Sequence, residues 1–343
     1  MGVGRSTLDL KINVSPKRAR AFRRSLLSWY RRHGRDLPWR HTREPYRILV
    51  SEIMLQQTQV QTVLPYYNRW LRRFPNFRSL SRATENDILH AWQGLGYYNR
   101  ARNLQASAGI VQTRYRGLFP RKIAAIRDLP GIGQYTANAV AAFCFDQSAP
   151  IVEANTSRVL ARLFDLRVPI DRSAGRKMLW TQAAELLPPR NAGVYNSALI
   201  DLGALICLPQ PKCGICPVKK FCGARRPETL PVRKPAPRSK RLVENHALIS
   251  KQNKILLEQA HRRWRGMWIL PSLRLDRFNR SSLSGRPIHS SVFPFTNHRV
   301  TLRVFRQRSR QVQGTGQRWF FHYQLNSIPI PSPHRRAITA LLI

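Results

Sequence analysis

Four cysteines close together constrain this chain more than any other feature of its sequence. They are separated by five, two and five residues, in the order Cys207, Cys213, Cys216 and Cys222. In a chain of 343 residues, long enough for a sizeable core, such a group predicts a metal or cluster site rather than a disulfide framework. Four thiolates at this spacing suit either a cubane iron–sulfur cluster or one tetrahedral zinc ion. The spacing alone does not choose between them, and four unrelated buried thiols are the remaining alternative.

The charge of the chain points to a polyanionic partner. There are 59 Lys and Arg residues against 17 Asp and Glu residues, a formal net charge of +42. Such an excess repels itself, and nucleic acid is the partner that best relieves the repulsion, with an acidic membrane surface second. No stretch of ~18 apolar residues suggests a membrane span, and no apolar core suggests a signal peptide. We therefore predict a cytoplasmic protein without membrane association, close to the nucleoid if the source is bacterial.

Local patterns divide the chain into three parts. Apolar stripes of helical period continue to about residue 205 and lead into the cysteine loop, which predicts a mostly α region over residues 1–224. Residues 225–243 are rich in proline and basic residues, and are predicted to form a stiff, solvated linker. Strand-like apolar runs appear beyond it, among them Trp319 to Leu325, so residues 244–343 are predicted to form a smaller α+β domain.

A glycine-rich turn separates two of the helical patterns. It reads Leu129-Pro130-Gly131-Ile132-Gly133 and is followed by an alanine-rich helix, with the whole motif at about residues 129–137. The two glycines allow a tight turn and a close approach of backbone amides to a phosphate. In a strongly basic chain this pattern predicts a helix–hairpin–helix that binds DNA.

Two acidic residues stand in apolar surroundings, in a chain where acids are scarce. Glu52 has apolar neighbours on both sides, which predicts a raised pKa suited to a general acid. Glu153 follows Pro150-Ile151-Val152 and precedes a helical pattern. Each has an ordinary alternative: Glu52 can be an exposed acid on an amphipathic helix, and Glu153 can be a helix cap or an ion-pair partner of Arg158.

Together these motifs resemble adenine DNA glycosylases of the MutY type, in the endonuclease III superfamily. The resemblance is carried by Leu37 to Arg40, Ser51 to Val60, Gly94 to Asn103, Leu129 to Ala137 and Asp201 to Cys207. It implies a six-helix barrel with a helix–hairpin–helix, a [4Fe–4S] cluster held by the four cysteines, and a NUDIX-like C-terminal domain that reads oxidised guanine. It also implies a monomer that acts on duplex DNA containing adenine mispaired with 8-oxoguanine or guanine.

The resemblance implies roles for individual residues as well. Glu52 would protonate adenine N7, and Glu153 would stabilise the positive charge on the sugar or bond to the sugar transiently. Tyr135 stands where bifunctional relatives carry a Schiff-base lysine, so the chain is expected to release the base without cutting the strand. Residues implied to contact the DNA or the flipped adenine are Trp39, Arg40, Gln56, Gln57, Tyr97, Gly131, Gly133 and Asp201. Residues implied to read the opposite guanine are Thr296, Asn297 and His298. Core packing is the alternative for Trp39 and Tyr97.

Three departures from the family pattern leave rival functions open. Glu153-Ala154 replaces the usual Asp-Gly, the first gap between cysteines is one residue shorter than usual, and Phe295-Thr296-Asn297-His298 replaces the usual Phe-Ser-His loop. One rival is another mismatch glycosylase of the superfamily, for example one that acts on thymine. The other is a catalytically impaired DNA-binding homologue.

Overall fold

A computed structural model of the chain describes residues 15–235, 239–273, 286–307 and 316–342. Up to residue 205, the regular elements of the described chain are all helices. Its helices are α1 (Pro16–His33), α2 (Pro45–Leu55), α3 (Val60–Arg73), α4 (Phe77–Arg82), α5 (Glu85–Trp92), α6 (Asn99–Thr113), α7 (Ile123–Arg127), α8 (Gln134–Phe145), α9 (Ala154–Leu163), α10 (Ser173–Leu186) and α11 (Ala192–Leu205). The mostly α character predicted for this region is therefore confirmed.

The described residues of the C-terminal part combine strands with a further α-helix. Its elements are β1 (Lys240–Leu248), β2 (Ser250–Lys251), β3 (Lys254–Gln259), β4 (Trp268–Ile269), β5 (His289–Phe295), β6 (His298–Arg306), β7 (Gln317–Phe321) and α12 (Ser332–Leu342). One sheet has the order β1-β6-β5, with β1 and β6 parallel and β5 antiparallel to β6. In the other sheet β3 pairs with β2, β4 and β7. The predicted α+β character is confirmed.

Helix ends follow local sequence signals. Pro16 occupies the first turn of α1, and the side chain of Ser15 accepts a hydrogen bond from the amide of Arg18. The missing N–H of a proline costs nothing at this position, because the first amides of a helix have no partner within it. The side chain of Thr84 caps α5 in the same way, by accepting from the amide of Asp87.

The described residues fall into two compact units. One comprises the described residues within Met1–Ile53 and Leu118–Pro235, and the other comprises those within Met54–Gly117 and Ala236–Ile343. In the first unit, α1 and α11 pack closely, as do α11 and α9, around a buried apolar cluster that includes Phe22, Leu160 and Leu199. In the second unit, the C-terminal strands and α12 enclose a cluster that includes Ile255, Leu302 and Ile338. Each unit thus has its own apolar core.

This grouping differs from the predicted division into residues 1–224 and 244–343, because α3–α6 belong with the C-terminal segment. The side chain of Arg102 on α6 pairs with Glu85 and donates to the backbone carbonyl of Arg265. His90 on α5 hydrogen-bonds the carbonyl of Asn326 at 2.9 Å. Local periodicity in the sequence does not reveal such long-range contacts. The domain boundaries predicted at residues 224 and 244 stay a prediction.

Two local predictions were partly wrong. Two residues of the expected solvated linker are hydrogen-bonded to the rest of the first unit. The carbonyl of Val232 accepts from the amide of Ile170, and the amide of Lys234 donates to the carboxylate of Asp171. Strand β1 already begins at Lys240, within the residues assigned to that linker. The strand expected from Trp319 to Leu325 ends at Phe321, where a 3-10 helix over His322–Ser327 follows.

Within the described residues, no helix combines the length and apolar character that a membrane crossing requires.

Candidate active site

Glu52 is a buried carboxyl group on α2. Only 5% of its surface is exposed, and its Oε2 atom has no hydrogen-bond partner among the described residues. The pKa of Glu52 is raised to about 7, chiefly by burial and also by the nearby charge of Glu153, whereas a hydrogen bond with Tyr135 and the charge of Arg40 oppose the rise. A carboxyl group in this setting exchanges its proton near neutral pH, as a general acid requires. The alternative of an exposed acid on an amphipathic helix does not apply to it.

Tyr135 contacts this carboxyl from the first turn of α8. Burial holds the pKa of Tyr135 well above its usual value, and the charges of Glu52 and Glu153 add to the shift. The residue therefore stays a neutral phenol that donates its hydrogen bond to Glu52. A phenol in this position orients the carboxyl and has no amine with which to form an imine.

Glu153 is the N-cap of α9. Its Oε1 atom accepts a hydrogen bond from the amide of Thr156 at 2.8 Å, and the side chain of Thr156 accepts from the amide of Glu153, also at 2.8 Å. Burial raises the pKa of Glu153, while the amides of Asn155 and Thr156 and the charge of Arg158 stabilise its ionised form. Capping, which the sequence left as an alternative to catalysis, is therefore present. One oxygen serves the cap, and the carboxylate lies close enough to Glu52 to influence its pKa.

Arg40 and Asp201 form a buried ion pair. Nη1 and Nη2 of Arg40 donate to the two carboxylate oxygens of Asp201 at 2.6 and 2.7 Å, and Asp201 is fully buried. Arg35 adds its backbone amide and its side-chain Nε, each 2.8 Å from an oxygen of Asp201. Burial alone would raise the pKa of Asp201, but these two arginines hold it below its usual value. Sequence reasoning missed Arg35, although it lies only five residues before Arg40.

This ion pair fixes the turn that carries Trp39. A 3-10 helix over Pro38–Arg40 places the Trp39 side chain in the interior, where 7% of it is exposed. Packing of Trp39 is thus observed, and the contact of Trp39, Arg40 and Asp201 with a flipped adenine stays a prediction.

The cysteine loop follows α11 through two 3-10 turns, Cys213–Ile215 and Lys219–Phe221. The pKa of Cys216 is raised to about 11, chiefly by burial and also by the charges of the other three cysteines of the loop, so the four thiols share one small region. The guanidinium of the buried Arg162 donates to the Sγ atom of Cys207 at 3.3 Å. Four thiols with a hydrogen-bond donor to sulfur are a donor set that suits an iron–sulfur cluster. No three Cys, His, Asp or Glu side chains in the described part of the chain are placed to hold a single metal ion.

The predicted hairpin lies between α7 and α8. Leu129 and Ile132 are buried and anchor the turn, whereas Gly131 and Gly133 are exposed. Gly131 has a φ of 73°, a conformation that favours glycine, and Gly133 caps the N-terminus of α8. The turn thus presents backbone and the positive end of a helix to solvent, as binding of a phosphate requires.

Two exposed side chains of the second unit stand on strained turns. Gln57 follows α2 with a φ of 57°, and Tyr97 precedes α6 with a φ of 46°. Tyr97 is 49% exposed, so core packing does not account for it. Gln56, next to Gln57, is half-buried. Their predicted insertion into DNA stays a prediction.

The residues predicted to read guanine lie on the hairpin that joins β5 and β6. Phe295 and His298 pair across it, and Thr296 and Asn297 form the exposed turn. An open concavity of about 610 Å³ beside this hairpin is lined by Thr296, Asn297 and His298, among others. The three side chains therefore share one surface depression.

Comparison with known proteins decides the family. A family model described as HhH-GPD superfamily base excision DNA repair protein matches residues 50–182. A relative from Buchnera aphidicola subsp. Schizaphis graminum, called adenine DNA glycosylase, is 34% identical over 259 residues that cover 73% of this chain and 74% of that protein. The chain belongs to the adenine DNA glycosylase family. The expected membership of the helix–hairpin–helix superfamily is thereby confirmed.

Other adenine DNA glycosylases match a shorter stretch. The relative from Buchnera aphidicola subsp. Baizongia pistaciae is 45% identical over 59% of this chain and 57% of its own length. The Homo sapiens relative is 41% identical over 60% of this chain and 40% of its own length. The chain thus spans about half the length of the first relatives it matches.

Solved structures support the fold of the helical part. A thermostable thymine-DNA glycosylase superposes with a TM-score of 0.57 at 34% identity, covering 62% of this chain and 98% of that one. A non-covalent endonuclease III–DNA complex gives a TM-score of 0.54 at 21% identity, with 63% and 98% coverage. The helical part therefore has the endonuclease III fold, which this family shares.

The raised pKa of Glu52 predicts that ionisation of its buried carboxyl group destabilises the folded protein at alkaline pH. The folded state binds the proton more tightly than the unfolded state does, because the folded pKa is about 7 and the ordinary value is 4.5. The resulting stabilisation is complete below the ordinary value and is lost as the pH rises through about 7. Glutamine has no proton to lose, so the substitution Glu52→Gln removes this pH dependence. We expect its effect on the free energy of unfolding to be more stabilising at pH ~8 than at pH ~4 by about 3 kcal/mol.

Urea denaturation of the wild type and of Glu52→Gln, each at pH ~4 and pH ~8, checks this prediction. Glu44→Gln is the matched control, since Glu44 is a surface residue just before α2 that pairs with Arg47. An equal effect of Glu52→Gln at both pH values would show that Glu52 is not buried as an acid.

Proposed function

We propose that this chain hydrolyses the N-glycosidic bond of adenine mispaired with 8-oxoguanine or guanine in duplex DNA. The observation that carries the proposal is the buried Glu52 carboxyl, whose pKa of about 7 matches the need to protonate a base near neutral pH. Family membership supplies adenine as the base, because the relatives are called adenine DNA glycosylases.

The two carboxyl groups take different roles in this proposal. Glu52 in its acid form protonates N7 of adenine, so that the base leaves as a neutral molecule. Glu153 has two backbone amides that favour its ionised form, and its carboxylate stabilises the positive charge that develops on the sugar. Water then adds to C1′ of the sugar and releases a proton, which balances the one that Glu52 gave to the base, and an abasic site remains.

DNA contacts are assigned to three surfaces. The turn with Gly131 and Gly133 binds backbone phosphate, and Gln57 and Tyr97 occupy the stack when the adenine flips out. Gln56 supports this insertion, and Trp39, Arg40 and Asp201 shape the pocket for the base. Thr296, Asn297 and His298 contact the opposite guanine from a domain that we propose is NUDIX-like.

In the same proposal the helical part corresponds to a six-helix barrel, and the protein acts as a monomer.

A single-turnover assay on short duplexes tests the proposal. Substrates carry adenine opposite 8-oxoguanine, adenine opposite guanine, thymine opposite guanine, or a normal adenine–thymine pair. We expect adenine release from the first two only. Release of thymine would favour the alternative function of a thymine mismatch glycosylase, the activity named for the similar thermostable thymine-DNA glycosylase structure. Tight binding without release would identify an impaired homologue.

The cysteine loop is proposed to hold a [4Fe–4S] cluster through Cys207, Cys213, Cys216 and Cys222. These four residues would hold the cluster, which would cross-link the loop and would supply no redox chemistry, since glycosidic hydrolysis needs no net electron transfer. We expect about four iron atoms per purified chain and matching acid-labile sulfide. Cys213→Ala should lower both, whereas the control Cys144→Ala should retain them, because Cys144 lies on α8 outside the loop. One zinc per chain without iron would contradict the assignment.

Tyr135 predicts base release without strand cleavage. A phenol cannot form the imine that lyase chemistry requires. Borohydride present during turnover should therefore trap little covalent protein–DNA adduct, and the abasic product should stay intact until alkali is added. A bifunctional endonuclease III-type enzyme on a suitable substrate is the positive control. Trapping at the rate of base release would overturn the monofunctional assignment.

A further inference from the structure

We propose that Arg100 is a positioning residue that holds the two base-flipping loops in one arrangement before DNA binds. These loops are residues 56–58 and residues 95–97, and they carry Gln57 and Tyr97. The inference rests on the proposed function, because insertion of these two side chains into DNA is part of it.

The side chain of Arg100 bridges both loops from the first turn of α6. It is buried, with 8% of its surface exposed. Its Nη1 atom donates to the carbonyls of Met54, at 2.9 Å, and Gln56. Its Nη2 atom donates to the carbonyls of Leu95 at 2.9 Å and Gly96 at 3.2 Å, and to Oγ1 of Thr58 at 3.2 Å. One planar guanidinium thus connects the end of α2 with the turn that precedes α6.

Aromatic contacts complete the arrangement. The guanidinium carbon of Arg100 lies 5.6 Å from the centre of the Tyr97 ring and 5.4 Å from that of Trp92. The indole N–H of the fully buried Trp92 donates to the carbonyl of Gly96 at 3.1 Å. Cation–π attraction therefore acts on the exposed Tyr97 ring, while the backbone of the preceding Gly96 is hydrogen-bonded to two buried side chains.

The strained backbone explains why the loops need such a residue. Gln57 and Tyr97 both have positive φ angles, which residues other than glycine rarely adopt. The last carbonyls of α2 also lack partners within the helix, and the guanidinium supplies donors for them. The guanidinium offers five N–H donors in a fixed planar fork that reaches acceptors on both loops, whereas lysine offers three donors on one compact ammonium group. Loops ordered in advance lose less entropy when they enter DNA.

Arg100→Lys tests the inference in the full-length holoprotein. 2-Aminopurine next to the target adenine reports unstacking, and single-turnover release reports the chemistry. We expect unstacking to be largely lost and release to slow by about 100-fold, since a misplacement of about 1 Å can have that effect. Affinity for undamaged duplex should stay within a few-fold. Arg114→Lys is the matched control, because Arg114 is exposed at the other end of α6 and is expected to behave as wild type.

A substrate that is already unstacked separates positioning from other roles. With adenine opposite an abasic-site analogue, the defect of Arg100→Lys should shrink to below about tenfold. An equal defect on both substrates, or wild-type release by Arg100→Lys, would overturn the inference. If Arg100→Lys does not fold, Thr58→Val removes one acceptor and should give a smaller defect of the same kind, and wild-type unstacking by this variant would overturn it.

Hydrogen–deuterium exchange without DNA distinguishes failure of the inference from failure of the proposed function. Amides of residues 56–58 and 95–97 should exchange faster in Arg100→Lys than in the wild type and in Arg114→Lys. If the wild type releases no base from any duplex, the proposed function fails and the exchange rates alone decide whether Arg100 orders the loops. Unchanged exchange would then overturn the inference.

Discussion

Replacing Glu52 with glutamine is expected to slow single-turnover adenine release by about 10²–10⁴-fold, because the variant has no acid proton to transfer. Glutamine has nearly the same size, so the fold and the affinity for DNA should be retained. The wild-type rate should fall as the pH rises above about 7, where the acid form of Glu52 disappears. Rates measured over a range of pH, with DNA binding measured in parallel, check both expectations.

The control for Glu52→Gln is Glu44→Gln, which removes an exposed carboxylate near the start of α2 and should leave the rate unchanged. A Glu52→Gln variant that releases adenine at the wild-type rate would remove Glu52 from the mechanism. A wild-type rate that keeps rising well above neutral pH would instead assign proton transfer to another group.

Replacing Glu153 with glutamine is expected to slow release by about 10²–10³-fold, because a neutral amide does not stabilise the positive sugar. The carbonyl oxygen of glutamine still accepts from the amide of Thr156, so the cap of α9 is preserved. The substitution therefore removes the charge and keeps the structural contact. Single-turnover rates and thermal melting of the same preparation measure the two effects separately.

Two further substitutions complete this test. Glu153→Ala removes the cap as well, and should cost about 1 kcal/mol of stability beyond the effect of Glu153→Gln. Glu153→Asp restores the usual family residue but shortens the side chain beside Ala154, so we expect a slower enzyme than the wild type. A wild-type rate for Glu153→Gln would show that Glu153 is only a helix cap.

The pH dependence of adenine release should reflect the ionisation of both carboxyl groups. Release needs Glu52 protonated and Glu153 ionised, so the rate should fall towards acid pH as well as above about 7. Burial raises the pKa of Glu153, which brings the acid side of this profile closer to neutrality than an exposed carboxylate would.

Some site features were predictable because their signals are local. The cysteine spacing and the glycine turn each lie within a short segment, and the apolar neighbours of Glu52 indicated its burial directly. For Glu153 the sequence left capping and catalysis as alternatives. The structure shows the cap, and a carboxylate has a second oxygen, so the two roles are compatible.

By itself, the sequence determined the helical character of the N-terminal part, the α+β character of the C-terminal part, the family, and the residue types available for chemistry. Only the tertiary structure decided that Asp201 pairs with Arg40 and Arg35, which lie 161 and 166 residues away along the chain. It also decided that Arg100 reaches back to Met54, and that α3–α6 group with the C-terminal strands. Periodicity and capping act over a few residues, whereas these contacts depend on which buried polar groups meet when distant helices pack.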